Sequence, residues 1–158
     1  MVSVGDTAPD FTAPLANGDV EEFTLSERVD EGPLVLALFP GAFTSVCTHE
    51  MDTFEDRLDE FDRAGASVYG VSVDTPFALN AFRDDLELSY GLLSDTNRRI
   101  VDAYDAAMDF ASTGVENVAK RAVFVVDEDR QVRYAWVSDD PGVEPDYDEV
   151  ETAADEAA

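Results

Sequence analysis

FPGAFTSVCTHE, residues 39–50, is the stretch that decides the fold of this chain. It follows an unbroken apolar run, residues 34–39, which is typical of a central strand covered on both faces. After it, apolar residues recur at spacings of three and four, which indicates a helix. These residues are Met51, Phe54, Leu58 and Phe61. The stretch therefore predicts a strand, a Pro-Gly turn and a helix running from about Ser45 to Gly65, which suits a left-handed helix end.

The chain's one cysteine, Cys47, falls in the first turn of this predicted helix. Thr44 or Ser45 would cap the helix by accepting from backbone N–H groups two or three residues further on. The unpaired N–H groups and the positive end of the helix dipole favour an anion there, so the reactive thiolate is stabilised over the thiol. The alternative is that Cys47 is a small buried hydrophobe, as many lone cysteines are.

The segments on either side of this region predict strands and one further helix. Residues 1–30 predict an N-terminal β arm, with a hairpin turn at Asn17-Gly18. Residues 66–74 predict a strand, and Asp74 or Thr75 would cap the helix that follows. Pro76 would occupy its first position, and the stripe expected to be buried is Phe77, Ala78, Ala81, Phe82 and Leu86.

The second half of the chain predicts a late hairpin and an acidic tail. Residues 90–93 read as a short strand, whereas residues 105–119 read as a long loop or linker. Residues 123–126 and 132–137 would pair as a hairpin. The tail from about residue 143 is acidic and weakly helical, with its last residues expected to be disordered. Alternating strands and helices with a late hairpin predict an α/β fold with a mixed central sheet flanked by helices.

Two motifs resemble one enzyme family. The spacing Pro40-x-x-x-Thr44-x-x-Cys47 matches the Pro-x-x-x-Thr/Ser-x-x-Cys signature of the peroxiredoxins. The segment RAVFVVD, residues 121–127, resembles the peroxiredoxin strand that starts with a catalytic arginine. The resemblance covers roughly residues 4–136 and implies a thioredoxin-like fold.

The resemblance also implies roles for individual residues. Cys47 would attack the O–O bond of a peroxide and become a sulfenic acid. Arg121 would bind the peroxide and stabilise charge on the departing oxygen. Thr44 would hydrogen-bond the peroxide and Cys47, and Pro40 would shield the site. Without the resemblance, Arg121 is an ordinary surface arginine, Thr44 a helix cap and Pro40 a strand terminator.

Several nearby residues carry less definite predictions. Glu50 would hold Arg121 or the helix start, or it is a solvated helix acid. His49 invites a cysteine–histidine dyad, but residues two apart on a helix do not face each other, so we assign it no catalytic duty. Arg98 and Arg99 are the rival arginines, and we expect at least one to be a surface residue.

The expected activity is thiol-dependent reduction of hydrogen peroxide or alkyl hydroperoxides, with no cofactor and no metal. In one peroxiredoxin subgroup a second cysteine lies five residues after the first, and here that position is Asp52. The chain therefore resembles the one-cysteine types, including the alkyl hydroperoxide reductase E and bacterioferritin-comigratory-protein branches. An external thiol or a thioredoxin-like protein would reduce it, and the family implies a homodimer. A peroxide-sensing redox relay and a non-catalytic thioredoxin-fold binding module are the alternatives.

Length and charge set the remaining limits. The chain has 158 residues, which predicts one domain over residues 1–158. Its formal net charge is −26, with 36 acidic residues against ten Lys and Arg, so nucleic acids and anionic membranes are disfavoured as partners. The charge fits either adaptation to high salt, which we favour, or an acidic surface for basic partners. With no signal-peptide pattern and no apolar stretch near the length of a membrane span, we expect a cytoplasmic protein.

Overall fold

The computed structural model describes residues 2–158, and strands dominate its centre. The strands in this part of the chain are β1 Thr12–Ala16, β2 Val20–Thr24, β3 Leu34–Leu38, β4 Ser67–Ser72, β5 Gly91–Ser94, β6 Ala107–Phe110, β7 Val115–Ala119, β8 Arg121–Val126 and β9 Val132–Ser138. Seven of them form one sheet in the order β2-β1-β5-β4-β3-β8-β9. The pairs β3–β4 and β4–β5 are parallel and the others antiparallel, so the sheet is mixed, as predicted.

The central strand β3 is buried along its whole length. It pairs with β4 on one side and with β8 on the other. Leu34, Leu36 and Leu38 join one apolar core, and Val35 and Ala37 join a second one. Because successive strand side chains point to opposite faces, an unbroken apolar run is what a doubly covered strand requires.

Helices flank the sheet. Those in residues 2–158 are α1 Leu25–Arg28, α2 Ser45–Asp56, α3 Leu58–Arg63, α4 Pro76–Leu86, α5 Arg99–Ala103 and α6 Tyr147–Ala157, with single 3₁₀ turns at Val29–Glu31 and Ala111–Thr113. The predicted N-terminal arm is the hairpin of β1 and β2. Since β1 also pairs with β5, the arm completes one edge of the main sheet.

The single helix predicted from Ser45 to Gly65 is wrong: two helices, α2 and α3, occupy this segment. Arg57 separates them with φ −99° and ψ 3°, outside helical geometry. The apolar spacing continues across the break, so the pattern did not reveal it. Gly65 has φ +75°, which confirms the predicted left-handed end of the segment.

Helix α4 begins as predicted but fully buries only Phe82 of the predicted stripe. The Thr75 hydroxyl accepts from the Ala78 N–H at 3.3 Å, and Pro76 opens the helix. Leu79 and Phe82 are fully buried, whereas Phe77 is 74% exposed. Ala81 is exposed as well. The predicted stripe was offset because apolar residues occur on both sides of this short helix.

Residues 105–119 are not a loop, contrary to the prediction. Strands β6 and β7 pair there as a second, two-stranded antiparallel sheet, with an irregular register between Met108 and Phe110. Most residues of β6 and β7 are only partly buried or exposed. The alternation that marks a half-buried strand is therefore weak, which is why the sequence reading failed here.

The acidic tail forms helix α6, so the expected disorder of its last residues is wrong. The Asp146 carboxylate caps the helix by accepting from the N–H groups of Asp148 and Glu149. One face is buried against the sheet through Val150, Ala153, Ala154 and Ala157. None of the helices in residues 2–158 has the length and hydropathy to cross a bilayer.

Candidate active site

Cys47 lies in the first turn of α2, as the sequence predicts, and is a free thiol only 1% exposed. Strand β3 leads into the turn at Pro40, and Thr44 is the residue preceding the helix. Cys47 belongs to the same buried apolar cluster as Phe39 and Met51. The sulfur therefore sits at the end of the central strand, beneath the surface.

Thr44 does not cap α2 with its side chain, which corrects the sequence prediction. Its backbone occupies the N-cap position with extended geometry, but its hydroxyl makes no capping hydrogen bond. Instead the hydroxyl donates to the Gly41 carbonyl at 2.9 Å. The turn preceding the helix bends that carbonyl within reach, and sequence spacing carries no information on this bend. The lone pairs of the hydroxyl oxygen are consequently free to accept from a ligand.

Arg121 is buried beside Cys47 although 74 positions separate them along the chain. The antiparallel pairing of Leu38 with Ala122 brings the start of β8 to the end of β3. Arg121 then donates from Nη2 to Cys47 Sγ at 3.1 Å and from Nε to the Pro141 carbonyl at 3.0 Å. The guanidinium, 1% exposed, offers its fixed donors directly to the sulfur.

Glu50 completes this buried group. It follows Cys47 by three residues on α2, so both side chains lie on one helix face. Arg121 Nη1 donates to Glu50 Oε1 at 2.9 Å, and Glu50 is fully buried. Burial raises the pKa of Glu50 to about 7, with the nearby Arg121 charge offsetting part of that rise. The other oxygen, Oε2, has no hydrogen-bond partner among the described residues.

His49 belongs to a different contact. Its Nδ1 lies 2.6 Å from Glu144 Oε1, and its side chain is 68% exposed. Donation of the His49 ring N–H to the Glu144 carboxylate raises the pKa of His49. Glu144 also accepts from the Tyr147 hydroxyl. Within residues 2–158, His49 therefore contacts the segment that precedes α6.

Arg98 and Arg99 take no part in the group around Cys47. Arg98 donates to the carbonyls of Asn117 and Thr96, at 3.0 and 3.3 Å, and Arg99 is exposed. Of the three arginines considered from the sequence, Arg121 is the one that reaches the sulfur.

Two adjoining cavities open at this site. One, of about 170 Å³, is lined by Thr44, Ser45, Val46, Phe110, Arg121, Pro141 and Gly142. The other, of about 210 Å³, is lined by Pro40, Gly41, Thr44, Val73, Asp74, Phe110, Thr113, Val115 and Val118. Thr44 and Phe110 border both.

Sequence reasoning missed two contributors to this site. Phe110 comes from the unpredicted β6–β7 sheet. Pro141 and Gly142 come from residues 139–146, which we call the strap because they link β9 to α6 across Arg121. The strap contacts Arg121 through the Pro141 backbone carbonyl, and a pattern of side chains does not predict such a contact.

Comparisons with known proteins show what this chain is similar to. Residues 4–135 match the AhpC/TSA family. A putative peroxiredoxin of Mycobacterium tuberculosis is 39% identical over 131 residues, covering 81% of this chain and 80% of the relative. Alkyl hydroperoxide reductase C of Helicobacter pylori is 31% identical over 144 residues, covering 85% and 70%. The crystal structure of peroxidoxin BcpB from Mycobacterium tuberculosis superposes with a TM-score of 0.87 at 28% identity, covering 100% of this chain and 99% of the other.

Proposed function

Because the chain belongs to the AhpC/TSA family and is a peroxiredoxin, we propose that Cys47 is the residue through which it reduces hydrogen peroxide or alkyl hydroperoxides. The observation that carries this proposal is the 3.1 Å contact between Arg121 Nη2 and Cys47 Sγ in the first turn of α2. A buried cation and a helix start both favour the thiolate.

The reaction consumes one thiolate per peroxide. The Cys47 sulfur donates an electron pair to the hydroxyl-bearing oxygen, the O–O bond breaks, and the pair in that bond leaves with the other oxygen. Sulfur is oxidised to a sulfenic acid, and the peroxide is reduced to an alkoxide or hydroxide that takes up one proton. Arg121 would stabilise the negative charge that moves from sulfur to the leaving oxygen.

Thr44 and Pro40 would orient and shelter the peroxide. Because the Thr44 hydroxyl donates its hydrogen bond to the Gly41 carbonyl, its oxygen can accept a hydrogen bond from the peroxide O–H. Thr44 also lines both cavities, so a peroxide bound in either one would lie beside it. Pro40 is buried at the base of the second cavity, where it would limit access of water.

The single cysteine supports a one-cysteine mechanism with an external reductant. After oxidation, no second thiol in the chain can form a disulfide with Cys47. A small thiol or a thioredoxin-like protein would attack the sulfenic acid. Since Cys47 is 1% exposed, we expect that attack to require local opening of the helix start or the strap.

The test is intact-mass spectrometry under three conditions. One equivalent of peroxide should add one oxygen that dimedone traps. Excess peroxide without thiol should add further oxygens, and added thiol should give a mixed disulfide and restore activity. A dominant dimer linked through Cys47 would contradict the external-thiol mechanism. A single oxidation with no turnover in the presence of thiol would favour a peroxide-sensing relay protein.

Domain organisation, assembly, cellular location and adaptation to salt are further proposals. One domain over residues 1–158 is supported by the packing of α6 onto the main sheet. A homodimer formed near the active site is compatible with the exposed Phe43 and Phe77, and sedimentation would test it. Cytoplasmic location and adaptation to high salt stay predictions from the sequence, the latter from the net charge of −26.

A further inference from the structure

Arg121 holds two acids at once. Nη1 donates to the Glu50 carboxylate at 2.9 Å, and Nη2 donates to the Cys47 sulfur at 3.1 Å. Glu50 is fully buried, and Arg121 and Cys47 are each 1% exposed. The guanidinium always carries one positive charge, whereas each acid can be neutral or negative.

The charge balance inside this group depends on which acids are ionised. If Cys47 and Glu50 both lost their protons, the buried group would carry one uncompensated negative charge. Such a charge is strongly unfavourable away from water. If only one acid is ionised, the group is neutral. Two acids that interact this closely titrate as a pair rather than one by one.

Among residues 2–158, the side chains that act on Glu50 do not include a second cation. The side chains that interact with it electrostatically, besides Arg121, are Tyr90, Glu144 and Tyr147. The first precedes β5, the second lies in the strap, and the third begins α6. His49 is tied to Glu144 at the exposed side of the helix. Glu50 Oε2 has no partner in residues 2–158, which is what a carboxyl that spends time protonated tolerates best.

We propose that Cys47 and Glu50 share a single negative charge across Arg121, so that Glu50 is a positioning residue whose proton is released when Cys47 is oxidised. This inference rests on the proposed peroxidase function. In the reactive state Cys47 is a thiolate and Glu50 is a neutral acid. Oxidation removes the charge from sulfur, and Glu50 then ionises as the one anion beside Arg121.

The step balances without a proton from elsewhere. A thiolate, a protonated Glu50 and a hydroperoxide become a sulfenic acid, an ionised Glu50 and an alcohol. Sulfur loses two electrons and the O–O bond gains them, while the Glu50 proton matches the one that the alkoxide takes up. The buried group is neutral before and after oxidation of Cys47, so neither state contains an uncompensated charge beside Arg121.

The proposal is tested by infrared difference spectroscopy of the protein before and after one equivalent of peroxide. The wild type should lose the band of a protonated carboxyl group and gain that of a carboxylate. Glu50→Gln should lack this change, whereas Asp56→Asn, at an exposed position of the same helix, should keep it. Glu50→Gln should also show thiolate absorbance at lower pH than the wild type. In this variant Cys47 no longer competes with a second acid for Arg121.

Each result decides the proposal. A wild-type difference spectrum without a carboxyl band means that Glu50 keeps one protonation state, which overturns the shared charge. The same is true if Glu50→Gln retains the band. If Glu50→Gln does not fold, Cys47→Ser replaces it: a neutral hydroxyl leaves Glu50 as the sole anion, so the carboxyl band should be absent already in the untreated variant. Its presence there would overturn the proposal.

The same samples separate this inference from the proposed function. Mass spectrometry counts the oxygens added to Cys47. If no oxygen is added, the peroxidase proposal fails, while the comparison of untreated wild type with Cys47→Ser still reads the shared charge. If one oxygen is added but the infrared carboxyl band does not change, peroxide reduction by Cys47 is supported and the proposed role of Glu50 is contradicted.

Discussion

Neighbouring residues of α2 make carboxylate contacts on opposite sides of the helix. Glu50 points inward to Arg121, with side chains 0% and 1% exposed. His49 points outward to Glu144, with side chains 68% and 30% exposed. At the end of α2, Arg57 contacts Asp148 at 2.7 Å and Glu151 at 3.1 Å on α6, where it also lies over the Tyr147 ring. The distances are similar, but the surroundings differ.

Burial, more than distance, decides how strongly each contact responds to a change in one of its charges. Water and salt screen the outer contacts, so each contributes little to stability. The inner contact is shielded, so a change in any of its charges has a large effect. The outer contacts hold the strap and α6 against α2, and the strap in turn covers Arg121 through Pro141. Four predictions test this division.

Arg121→Ala should have the largest effect, because it removes the cation of the inner group. Oxidation of Cys47 should slow more than tenfold, which corresponds to an increase of more than about 1.4 kcal/mol in the activation barrier. The folded state should also be destabilised, since the buried hydrogen bonds of Arg121 with Glu50, Cys47 and the Pro141 carbonyl are lost. Stopped-flow oxidation and urea unfolding measure the two effects. Arg99→Ala is the control, and an Arg121→Ala variant that reacts as fast as wild type would mean that another group activates the thiol.

Glu50→Gln should change how stability depends on pH. The folded-state pKa of Glu50 is raised from 4.5 to about 7 by burial. Above pH 4.5 the unfolded chain releases this proton more readily than the fold, so Glu50 lowers wild-type stability progressively up to about pH 7 and by a constant amount beyond. The difference between the folded and unfolded pKa values corresponds to a loss of roughly 3 kcal/mol in the free energy of unfolding above pH 7. Urea unfolding between pH 4 and 8 should show the variant gaining on wild type across this window, and parallel curves would contradict the prediction.

Added salt should separate the surface from the inner group. With a net charge of −26, molar KCl should raise the melting temperature by screening repulsion among exposed carboxylates. The ratio of wild-type to Arg121→Ala oxidation rates should change much less, because both contacts of Arg121 with its acids are buried. A melting temperature that does not rise with salt would favour the basic-partner interpretation of the charge.

His49→Gln should have the smallest effect, below about 1 kcal/mol, because the pair with Glu144 is exposed. The pKa of His49 is raised in the fold by its hydrogen bond with Glu144, so its contribution is complete below pH 6.5 and disappears as pH rises through the folded value. Thermal melting at pH 5.5 and 8.5 should show a difference from wild type only at the lower pH. A difference of the same size at both would assign the effect to packing.

The position of Cys47 in the fold was predictable because its signals are local. The apolar run of β3, the turn at Pro40 and the placement of Cys47 in the first turn of α2 are all encoded within neighbouring residues. The thioredoxin-like fold followed from alternating strand and helix patterns together with the family motifs. The errors fall where local patterns are weak or misleading. They include the break at Arg57, the partly exposed β6–β7 sheet and the folded end of the acidic tail, together with the buried stripe of α4 and the hydroxyl contact of Thr44.

The sequence alone determined which residue types stand at the start of α2 and at the start of β8, because strand and helix periodicity and turn chemistry act over a few residues. Only the tertiary structure decided which of them meet. The pairing of β3 with β8 brought Arg121 to Cys47, and burial made Glu50 a shielded acid while leaving His49 in solvent. Side-chain exposure and charge coupling depend on segments distant in the chain, so the difference between two adjacent residues of one helix could come only from the fold.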